Sequence, residues 1–418
     1  MNGDKIYGLI GRTLGHSWSL PIHHALGCPS YRLIELKETE LEAFLKREDI
    51  GGLNVTIPYK KAVMPYCDSV DADAAAVGSV NTLVRGGDGK LRAWNTDVLG
   101  FRVMAERAGI SFAGRKVVIL GSGGASLSVR AVVREAQARE VVVISRNGEN
   151  HYGNLSRHAD ADILVNTTPV GMYPDNGSAP LDLTVFPALR GVLDVIYNPR
   201  RTALLLQAES LGIPCSDGLP MLVAQAAGSE SLFFGSPVRE DAQARVLAQL
   251  RRDRTNVVLI GMPGSGKSAV GRALSVLTGR EAVETDERIE KRAGKSIPEI
   301  FASEGEAAFR TLEREEVEKA GKETGKIIVT GGGVVKDMRN YAPLRQNGRI
   351  YHVLRDVSAL PVDGRPLSQA STPARLWEER KPLYERFRDT AIDNRGTVQD
   401  AAQTIWRDFC AHSGDERS

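Results

Sequence analysis

The sequence predicts an α/β fold in more than one domain, and three observations support this prediction. Short, β-branched apolar runs alternate with helix-length amphipathic segments, which is typical of domains built on largely parallel sheets. Glycine-rich loops directly follow two of these runs. The 418 residues also exceed the roughly 250–300 residues at which a single hydrophobic core stops growing.

Apolar runs bounded by glycine, asparagine or proline are the predicted strands. In chain order they are "KIYGLI" (5–10), "KVVIL" (116–120), "EVVVIS" (140–145), "DILVN" (162–166), "GVLDVIY" (191–197), "NVVLI" (256–260), "KIIVT" (326–330) and "RIYHVL" (349–354). The segment "LSVRAVVREAQARE" (127–140) predicts an amphipathic helix. The charged stretch 236–255 is also predicted to be helical, and its end marks the boundary between two enzyme-sized units.

Composition argues for small-molecule substrates. The 54 basic and 52 acidic side chains are interspersed and leave a net charge of +2, so neither nucleic acid nor a membrane surface is an expected partner. Cys28, Cys67, Cys215 and Cys410 form no CxxC pair, which fits a reducing cytoplasm. The N-terminal residues lack the pattern of a signal peptide, and no run approaches the ~18 apolar residues of a membrane span. We therefore expect a cytoplasmic protein.

The stretch "GMPGSGKS" (261–268) follows one predicted strand and precedes the helix-like "AVGRALSVL". It matches the pattern G-x-x-x-x-G-K-S/T in the context that a P-loop requires. Backbone N–H groups of such a loop wrap phosphate oxygens, the lysine neutralises the β and γ charges, and the serine hydroxyl can ligate Mg²⁺. ATP and Mg²⁺ are thus the expected ligands, with Ser268 the expected metal ligand. The predicted nucleotide-binding residues are Gly264, Ser265, Gly266, Lys267 and Ser268.

Four further motifs lie downstream of the P-loop and bear on the second substrate of this site. They are "ETDERIEKRAGKSIPEIFASEGEAAFRTLE" (284–313), "TGGGVV" (330–335), "DGRPLS" (363–368) and "ERKPLYERF" (379–387). Together with the P-loop they resemble shikimate kinase, over residues 254–418. The resemblance implies a P-loop kinase domain with a parallel sheet.

The resemblance also implies residue roles in that domain. Asp286 binds the ring hydroxyls and helps to orient or deprotonate the attacking one, with Lys267 on the phosphates and Arg365 on the transferring phosphoryl group. The residues implied to hold shikimate are Arg310 and Arg380, on its carboxylate, and the backbone of Gly331, Gly332 and Gly333. Two departures stand out: Glu284 replaces the family's usual aspartate, which puts its role near the metal in doubt, and the lid around Arg365 is short.

A second glycine-rich loop lies earlier, in "VVILGSGGAS" (117–126). A strand leads into glycines at a helix start, the arrangement that seats a dinucleotide pyrophosphate, although a serine takes the third glycine position. The next strand ends in "SRNGEN", where an arginine favours the 2′-phosphate of NADP; a plain surface charge is the open alternative. The predicted cofactor-binding residues are Gly121, Gly123, Gly124, Ala125, Ser145, Arg146, Asn147 and Gly218.

Six motifs surround this loop. They are "GHSWS" (15–19), "NVTIPYKK" (54–61), "GSVNTL" (78–83), "NTD" (95–97), "DVIYNP" (194–199) and "DGLPMLVAQAA" (217–227). They resemble shikimate dehydrogenase, over about 1–250. The resemblance implies a two-domain dehydrogenase: a substrate-binding domain of residues 1–100 plus 219–250, and a Rossmann-like NADP-binding domain of residues 101–218.

In this resemblance Lys60 and Asp97 are the catalytic pair. Spacing alone does not choose between Lys60 and the adjacent Lys61; the motif position selects Lys60. An ammonium can hydrogen-bond the carbonyl and deliver a proton while a carboxylate orients it. The implied substrate-binding residues are Ser17, Ser19, Thr56, Asn81, Tyr197 and Gln225. His16, His23 and His24 lie nearby, but no carboxylate or cysteine recurs at ligand spacing, so a metal is not expected.

We therefore expect a bifunctional enzyme of aromatic amino acid biosynthesis. It would reduce 3-dehydroshikimate to shikimate with NADPH and then phosphorylate shikimate with ATP and Mg²⁺. One alternative keeps the fold but changes the first substrate to quinate or the cofactor to NAD. Another makes one unit a non-catalytic binding module, which leaves the paired proton-transfer and phosphate-binding groups unexplained. A homodimer is an open possibility for the assembly.

Overall fold

The computed structural model describes residues 5–15, 17–359 and 372–413. The chain divides into two compact units. The first runs to Met172 and resumes at Ser178–Leu247; the second comprises Tyr173–Gly177 and the chain from Ala248 onward. Each unit is described by itself below.

The first sheet of the first unit is mixed rather than parallel. Its strands are β1 (Ile6–Gly11), β2 (Arg32–Glu35), β3 (Ile50–Val55), β4 (Ser69–Val70), β5 (Thr82–Arg85) and β6 (Leu91–Trp94), in the order β2-β1-β3-β5-β6-β4. β1 runs parallel to β2 and β3, whereas β5 is antiparallel to both neighbours. The five residues between β5 and β6 are too few for a parallel crossover, so this pair is a hairpin. Helices α1 (Ser19–Leu26), α2 (Leu41–Leu45), α3 (Ala72–Val77) and α4 (Thr96–Arg107) accompany the sheet.

The second sheet of this unit is entirely parallel. Its strands are β7 (Lys116–Leu120), β8 (Glu140–Ile144), β9 (Ile163–Asn166), β10 (Gly191–Asp194) and β11 (Cys215–Ser216), in the order β11-β10-β9-β7-β8. Its helices are α5 (Gly124–Glu135), α6 (Ala203–Ser210) and α7 (Leu219–Phe234). Strands β7 and β9 are buried along their whole length, as expected where helices cover both faces.

Helix α7 returns the chain from the second sheet to the first. A Cβ at Gly52 of β3 would collide with the ring of Phe233 near the end of α7. Similarly, Gly100 of α4 lets that helix approach the Met221 carbonyl, because a Cβ there would lie 2.6 Å from the oxygen. These two close approaches hold α7 against β3 and α4.

The second unit has one parallel sheet among its described residues. The strands are β12 (Asn256–Ile260), β13 (Ala282–Glu284), β14 (Ile327–Val329), β15 (Gly348–Leu354) and β16 (Thr390–Asp393), in the order β13-β14-β12-β15-β16. The helices are α8 (Glu240–Arg254), which carries the boundary between the units, α9 (Lys267–Thr278), α10 (Thr285–Ala293), α11 (Ile297–Lys322), α12 (Tyr341–Gln346), α13 (Pro373–Phe387) and α14 (Val398–His412). Central β12 is buried at every residue and leads directly into the P-loop.

Each predicted strand is present, but the predicted end of one strand and both predicted ends of one helix are wrong. Strand β10 stops at Asp194 because that side chain accepts a hydrogen bond from the Ile196 N–H and turns the chain. The helix predicted over 127–140 is α5, which starts three residues earlier and ends at Glu135; Gln137 follows in a left-handed conformation (φ 56°). In the described part of the chain, no helix is long and apolar enough to cross a membrane.

Candidate active sites

Lys60 and Asp97 form an ion pair in the first unit. Lys60 Nζ lies 2.5 Å from Asp97 Oδ2, and both side chains are mostly buried. Lys61 is exposed and makes no ion pair with a described residue. The structure therefore separates the two lysines that spacing left equivalent.

Local hydrogen bonds bring this pair together. Lys60 follows β3 in a turn held by buried Tyr59, whose hydroxyl donates to the Leu36 carbonyl. Asp97 lies in the first turn of α4, where its backbone N–H donates to the side chain of Asn95, the N-cap residue. Asparagine is a preferred N-cap residue, so the "NTD" motif both starts the helix and places the carboxylate.

Two of the predicted polar residues touch the Lys60–Asp97 pair or each other. Asn81 Nδ2 donates to Asp97 Oδ1 at 2.9 Å and to Gln225 Oε1 at 3.4 Å. Gln225 is buried on α7. Helix α7 thus contributes a side chain to a site otherwise built on β3, β5 and α4.

The remaining predicted substrate residues form a second group. Ser17 Oγ donates to Ser19 Oγ at 3.1 Å, and the Trp18 ring packs on Tyr197 with centroids 4.9 Å apart. Thr56 lies close to this group. A Cβ at Gly11 would contact both the Thr56 methyl and the Leu14 side chain. The Leu14 carbonyl in turn accepts the Ser17 N–H. His16 lies outside the described residues.

The other two N-terminal histidines have structural partners. His23 Nδ1 pairs with Glu230 at 2.8 Å, and His24 Nε2 bonds the Tyr31 carbonyl. Burial lowers the pKa of His23. Among the described residues, no three His, Cys, Asp or Glu side chains cluster as a metal site would require.

The glycine-rich loop after β7 is open where a pyrophosphate would need space. Gly121 has φ of 97° and lies tight against Thr167, whereas a Cβ at Gly123 or Gly124 would meet no described atom within 4 Å. Helix α5 begins there, with Ala125 in its first turn. Ser126, at the third glycine position, is buried and donates to the Gly123 carbonyl at 2.7 Å. The N–H groups at the start of a helix suit an anion.

The residues after β8 lie beside this loop because β8 pairs with β7 in parallel. Arg146 and Asn147 are exposed, and Ser145 is half-buried. Arg146 forms no ion pair with a described carboxylate, so its guanidinium is available to a phosphate. Gly218 differs from the other predicted cofactor residues: a Cβ there would lie 2.0 Å from the Val195 carbonyl, so close packing alone explains the glycine.

The P-loop of the second unit folds around its own lysine. Gly264 and Gly266 have φ of 81° and 92°, which favours glycine at both positions. Lys267 Nζ donates to the carbonyls of Gly261 and Met262 at 2.9 and 3.0 Å. Ser265 Oγ is buried without a described partner. A bound phosphate would take over these donors.

A cavity of about 540 Å³ joins the P-loop to the predicted sugar-acid residues. Its lining includes Lys267, Ser268, Glu284, Asp286, Arg310, Gly331, Gly332, Gly333 and Arg380. Buried Arg380 donates to the Gly332 carbonyl at 3.0 Å. Arg365 lies outside the described residues.

The three glycines after β14 each make room for a different neighbour. A Cβ at Gly331 would lie 2.6 Å from Asp286 Oδ1, one at Gly332 would meet the Pro263 ring, and one at Gly333 would meet the Arg310 guanidinium. The backbone can therefore approach the carboxylate, the P-loop and the arginine at once.

The comparisons with known proteins agree with this geometry. The family model of the shikimate dehydrogenase substrate binding domain matches residues 9–83, and that of shikimate kinase matches residues 263–409. The shikimate dehydrogenase (NADP(+)) of Clostridium perfringens strain SM101 is 35% identical over 268 residues, which cover 59% of this chain and 98% of the relative. The chain belongs to the shikimate dehydrogenase family.

Solved structures resemble the dehydrogenase part of the chain. A chorismate mutase/shikimate 5-dehydrogenase fusion protein from Clostridium acetobutylicum is 35% identical with a TM-score of 0.57, covering 59% of this chain and 97% of that one. Quinate dehydrogenase from Corynebacterium glutamicum, in complex with NAD, is 30% identical with a TM-score of 0.53, covering 59% and 100%. This shikimate dehydrogenase therefore also carries a shikimate kinase domain, and both resemblances seen in the sequence are confirmed.

Burial raises the pKa values of two carboxyl groups in the kinase-domain cavity. It raises the pKa of Asp286, against the opposing effects of Lys267 and Arg310, and Asp286 Oδ1 has no described partner. Burial also raises the pKa of Glu284, which accepts a hydrogen bond from Ser268 Oγ at 2.9 Å. The second oxygen of Glu284 is buried without a described partner. A hydroxyl beside a carboxylate oxygen that lacks a donor fits a hard divalent cation.

Three side chains of the kinase domain were missed in the sequence. Glu313 is buried and pairs with Arg310 at 2.7 Å, and its i,i+3 spacing on α11 was the available signal. Tyr384 donates to the Gly332 carbonyl beside Arg380. Asn394 donates to the Ser265 carbonyl, from which it is separated by 129 positions in sequence, and no local sequence pattern predicts this contact.

Proposed function

We propose that this chain catalyses two consecutive reactions of the shikimate pathway. The first unit reduces 3-dehydroshikimate to shikimate with NADPH, and the second transfers the γ-phosphoryl group of ATP to the 3-hydroxyl of shikimate. The observation that carries the proposal is that each unit assembles a complete reactive group: the Lys60–Asp97 pair in one, and the cavity joining Lys267 to Asp286 in the other.

The proposed domain boundaries follow the sheets. Residues 1–100 with 219–250 bind the substrate, residues 101–218 bind NADP, and residues 254–418 form the kinase. The first sheet ends at Trp94, the second spans Lys116–Ser216, and α7 rejoins the first sheet; this order supports the division. Four free cysteines support a reducing, cytoplasmic setting.

In the reduction, Lys60 donates a hydrogen bond to the substrate carbonyl and delivers its proton to the oxygen as the C–O double bond becomes single. NADPH, when bound, supplies the hydride that forms the new C–H bond. Asp97 holds the ammonium through Oδ2, and Asn81 holds Asp97 through Oδ1. Ser17 and Ser19 bind the substrate carboxylate, and Thr56, Tyr197 and Gln225 complete the polar surroundings. Arg146 binds the 2′-phosphate of the cofactor.

In the phosphorylation, Asp286 orients the 3-hydroxyl and accepts its proton as the oxygen bonds to phosphorus and ADP leaves. Its raised pKa and free Oδ1 suit a proton acceptor. Arg310 and Arg380 hold the substrate carboxylate. Lys267 neutralises the phosphates, and Arg365 acts on the transferring group. Ser268 and Glu284 would hold Mg²⁺, which supplies positive charge at the phosphates when bound.

The test follows both products in one reaction. The purified chain receives 3-dehydroshikimate and NADPH, the loss of NADPH absorbance is recorded, Mg-ATP is added, and shikimate 3-phosphate is measured by mass spectrometry. Consumption of NADPH followed by the phosphate ester is expected. Shikimate without phosphate would contradict the kinase half and identify it as a binding module. Faster turnover with NADH, or with quinate in the oxidative direction, would support the alternative represented by the quinate dehydrogenase relative.

A further inference from the structure

A row of buried polar side chains leads from the interior of the first unit to the Lys60–Asp97 pair. In order they are Tyr31, Asn54, Ser229, Thr82 and Asn81. We propose that this row, here called the donor chain, is a positioning device: each member is hydrogen-bonded to the next, and the last holds the Asp97 carboxylate. The proposal rests on the proposed reductase function and deepens it.

The direction of the chain follows from Asn81. Its Oδ1 accepts the backbone N–H of Thr96 at 2.7 Å, which identifies this atom as the carbonyl oxygen. The Thr82 hydroxyl, 3.0 Å away, must therefore donate to it. Thr82 Oγ1 also lies 2.8 Å from Ser229 Oγ, a contact in which either hydroxyl can donate. Ser229 Oγ donates to the Gln225 carbonyl at 3.0 Å, four residues back on α7, and lies 3.1 Å from Thr96 Oγ1.

The far end of the chain is oriented in the same sense. The Tyr31 hydroxyl donates to Asn54 Oδ1 at 2.8 Å, so the amide nitrogen of Asn54 faces the other way. That nitrogen donates to Ser229 Oγ at 2.7 Å. The bonds from Tyr31 to Ser229 and from Thr82 to Asp97 thus point toward the carboxylate.

Because the donor chain is buried, losing one of its members should disturb the Asp97 carboxylate. Its members are at most 4% exposed, so water cannot readily replace a lost donor. Aligned hydrogen bonds in a low-dielectric interior also polarise one another. With its carbonyl engaged, Asn81 presents Nδ2 to Asp97 Oδ1 and leaves Oδ2 for Lys60. A reversed amide would set its oxygen against the carboxylate, which is repulsive. The chain therefore keeps Asp97 in the geometry that the proton donor needs.

The chain uses residues that the catalytic motifs do not explain. Tyr31 and Ser229 lie outside the catalytic assignment, and they reach Asp97 through the other members and, for Ser229, also through Thr96 Oγ1. They are therefore positioning residues, and their loss should lower the rate of the chemical step more than substrate binding.

The experiment compares two serines of α7 in the full-length chain. Ser229→Ala removes a chain member, whereas Ser231→Ala removes a hydroxyl that also donates to the carbonyl four residues back, at 2.7 Å, but contacts no member. We expect Ser229→Ala and Thr82→Val each to lower the dehydrogenase kcat about tenfold, with KM values within about twofold of wild type. Thr82→Ser should restore kcat, and Ser231→Ala should match wild type.

The outcomes separate this proposal from the proposed function. An inactive wild type refutes the reductase assignment itself. An active wild type with kcat of Ser229→Ala and Thr82→Val within about twofold of Ser231→Ala overturns the donor chain. NADPH binding and kinase activity of each variant report whether the two units are folded. If those two variants fail to fold, Tyr31→Phe decides, because it keeps the ring stacked on His23 and removes only the first donor; unchanged kcat in it overturns the proposal.

Discussion

Single side chains in the two sites have contrasting surroundings. Both oxygens of Asp97 are engaged, one by Lys60 and one by Asn81. Asp286 instead keeps Oδ1 without a described partner, and burial raises its pKa. An engaged carboxylate is suited to hold a proton donor in place, whereas an unpartnered one is suited to accept a proton from substrate.

Replacing the proposed proton donor should separate the two activities. We expect Lys60→Met to lower NADPH oxidation by about 10²–10⁴-fold, because a positioned general acid contributes about that much. Steady-state NADPH absorbance measures this loss. The neighbouring Lys61→Met is the control and should retain activity, since Lys61 is exposed and unpaired among the described residues. Loss of kinase activity in the Lys60 variant would contradict the independence of the two sites.

Asp194 predicts a pH dependence of stability. It is fully buried and accepts hydrogen bonds from Asn166, Ile196 and Thr202, yet burial raises its pKa to about 7. The unfolded carboxyl has a pKa of about 4, so the folded state binds the extra proton between about pH 4 and 7. This contribution to stability is complete below pH 4 and is lost as pH rises to 7.

The Asp194→Asn variant tests this sign. It cannot ionise, so its stability should fall less than that of wild type between pH 5 and 8, by on the order of 2 kcal/mol. Urea unfolding of the full chain at several pH values, with dehydrogenase activity as the probe of the folded state, measures the difference. Parallel pH profiles for the two proteins would show that the carboxyl is ionised throughout this range.

Among the structural elements, the loop after β14 brings its backbone close to two different parts of the kinase-domain cavity. Gly332 lies against the P-loop residue Pro263, and Gly333 lies against Arg310. Adjacent residues of one loop therefore border the P-loop and Arg310 in the same cavity, the parts proposed to bind the nucleotide and shikimate.

Alanine substitutions at Gly332 and Gly333 should separate the contribution of this loop to ATP binding from its contribution to shikimate binding. We expect Gly332→Ala to raise KM for ATP by about tenfold, and Gly333→Ala to raise KM for shikimate by a similar factor, because small displacements of binding groups cost about this much. Initial rates at varied concentrations of each substrate measure both constants, and unchanged dehydrogenase activity serves as the control. Equal effects of both variants on both constants would argue for a general loosening of the loop.

For the molecule as a whole, two compact units carry two separate kinds of chemistry. In the proposed function the hydride transfer uses no metal, whereas a cation held by Ser268 and Glu284 would supply positive charge at the nucleotide phosphates. Chelation of divalent cations should therefore stop phosphorylation and leave NADPH oxidation at its original rate. Adding EDTA and then excess Mg²⁺ to the coupled reaction tests this, with recovery of the phosphate ester expected. A loss of NADPH oxidation on chelation would reveal a metal requirement in the first unit.

The sequence alone determined the α/β class, the position of the strands, both glycine-rich loops and the identity of both families, because these are local signals of apolar runs, glycine spacing and short motifs. It also placed Lys60, Asp97, Asp286 and the three glycines in their motifs. Spacing alone could not choose between Lys60 and Lys61. The turn after β3 places Lys60, and not Lys61, in contact with Asp97.

Tertiary structure decided the contacts that join distant parts of the chain. The ends of β10 and α5, the approach of Asn394 to the P-loop, and the link from Ser229 to Asp97 have no local signature. Each depends on side chains 100 or more residues apart meeting, or on a backbone turn set by a single hydrogen bond. Such contacts arise from packing of whole elements, which residue patterns within one element do not encode.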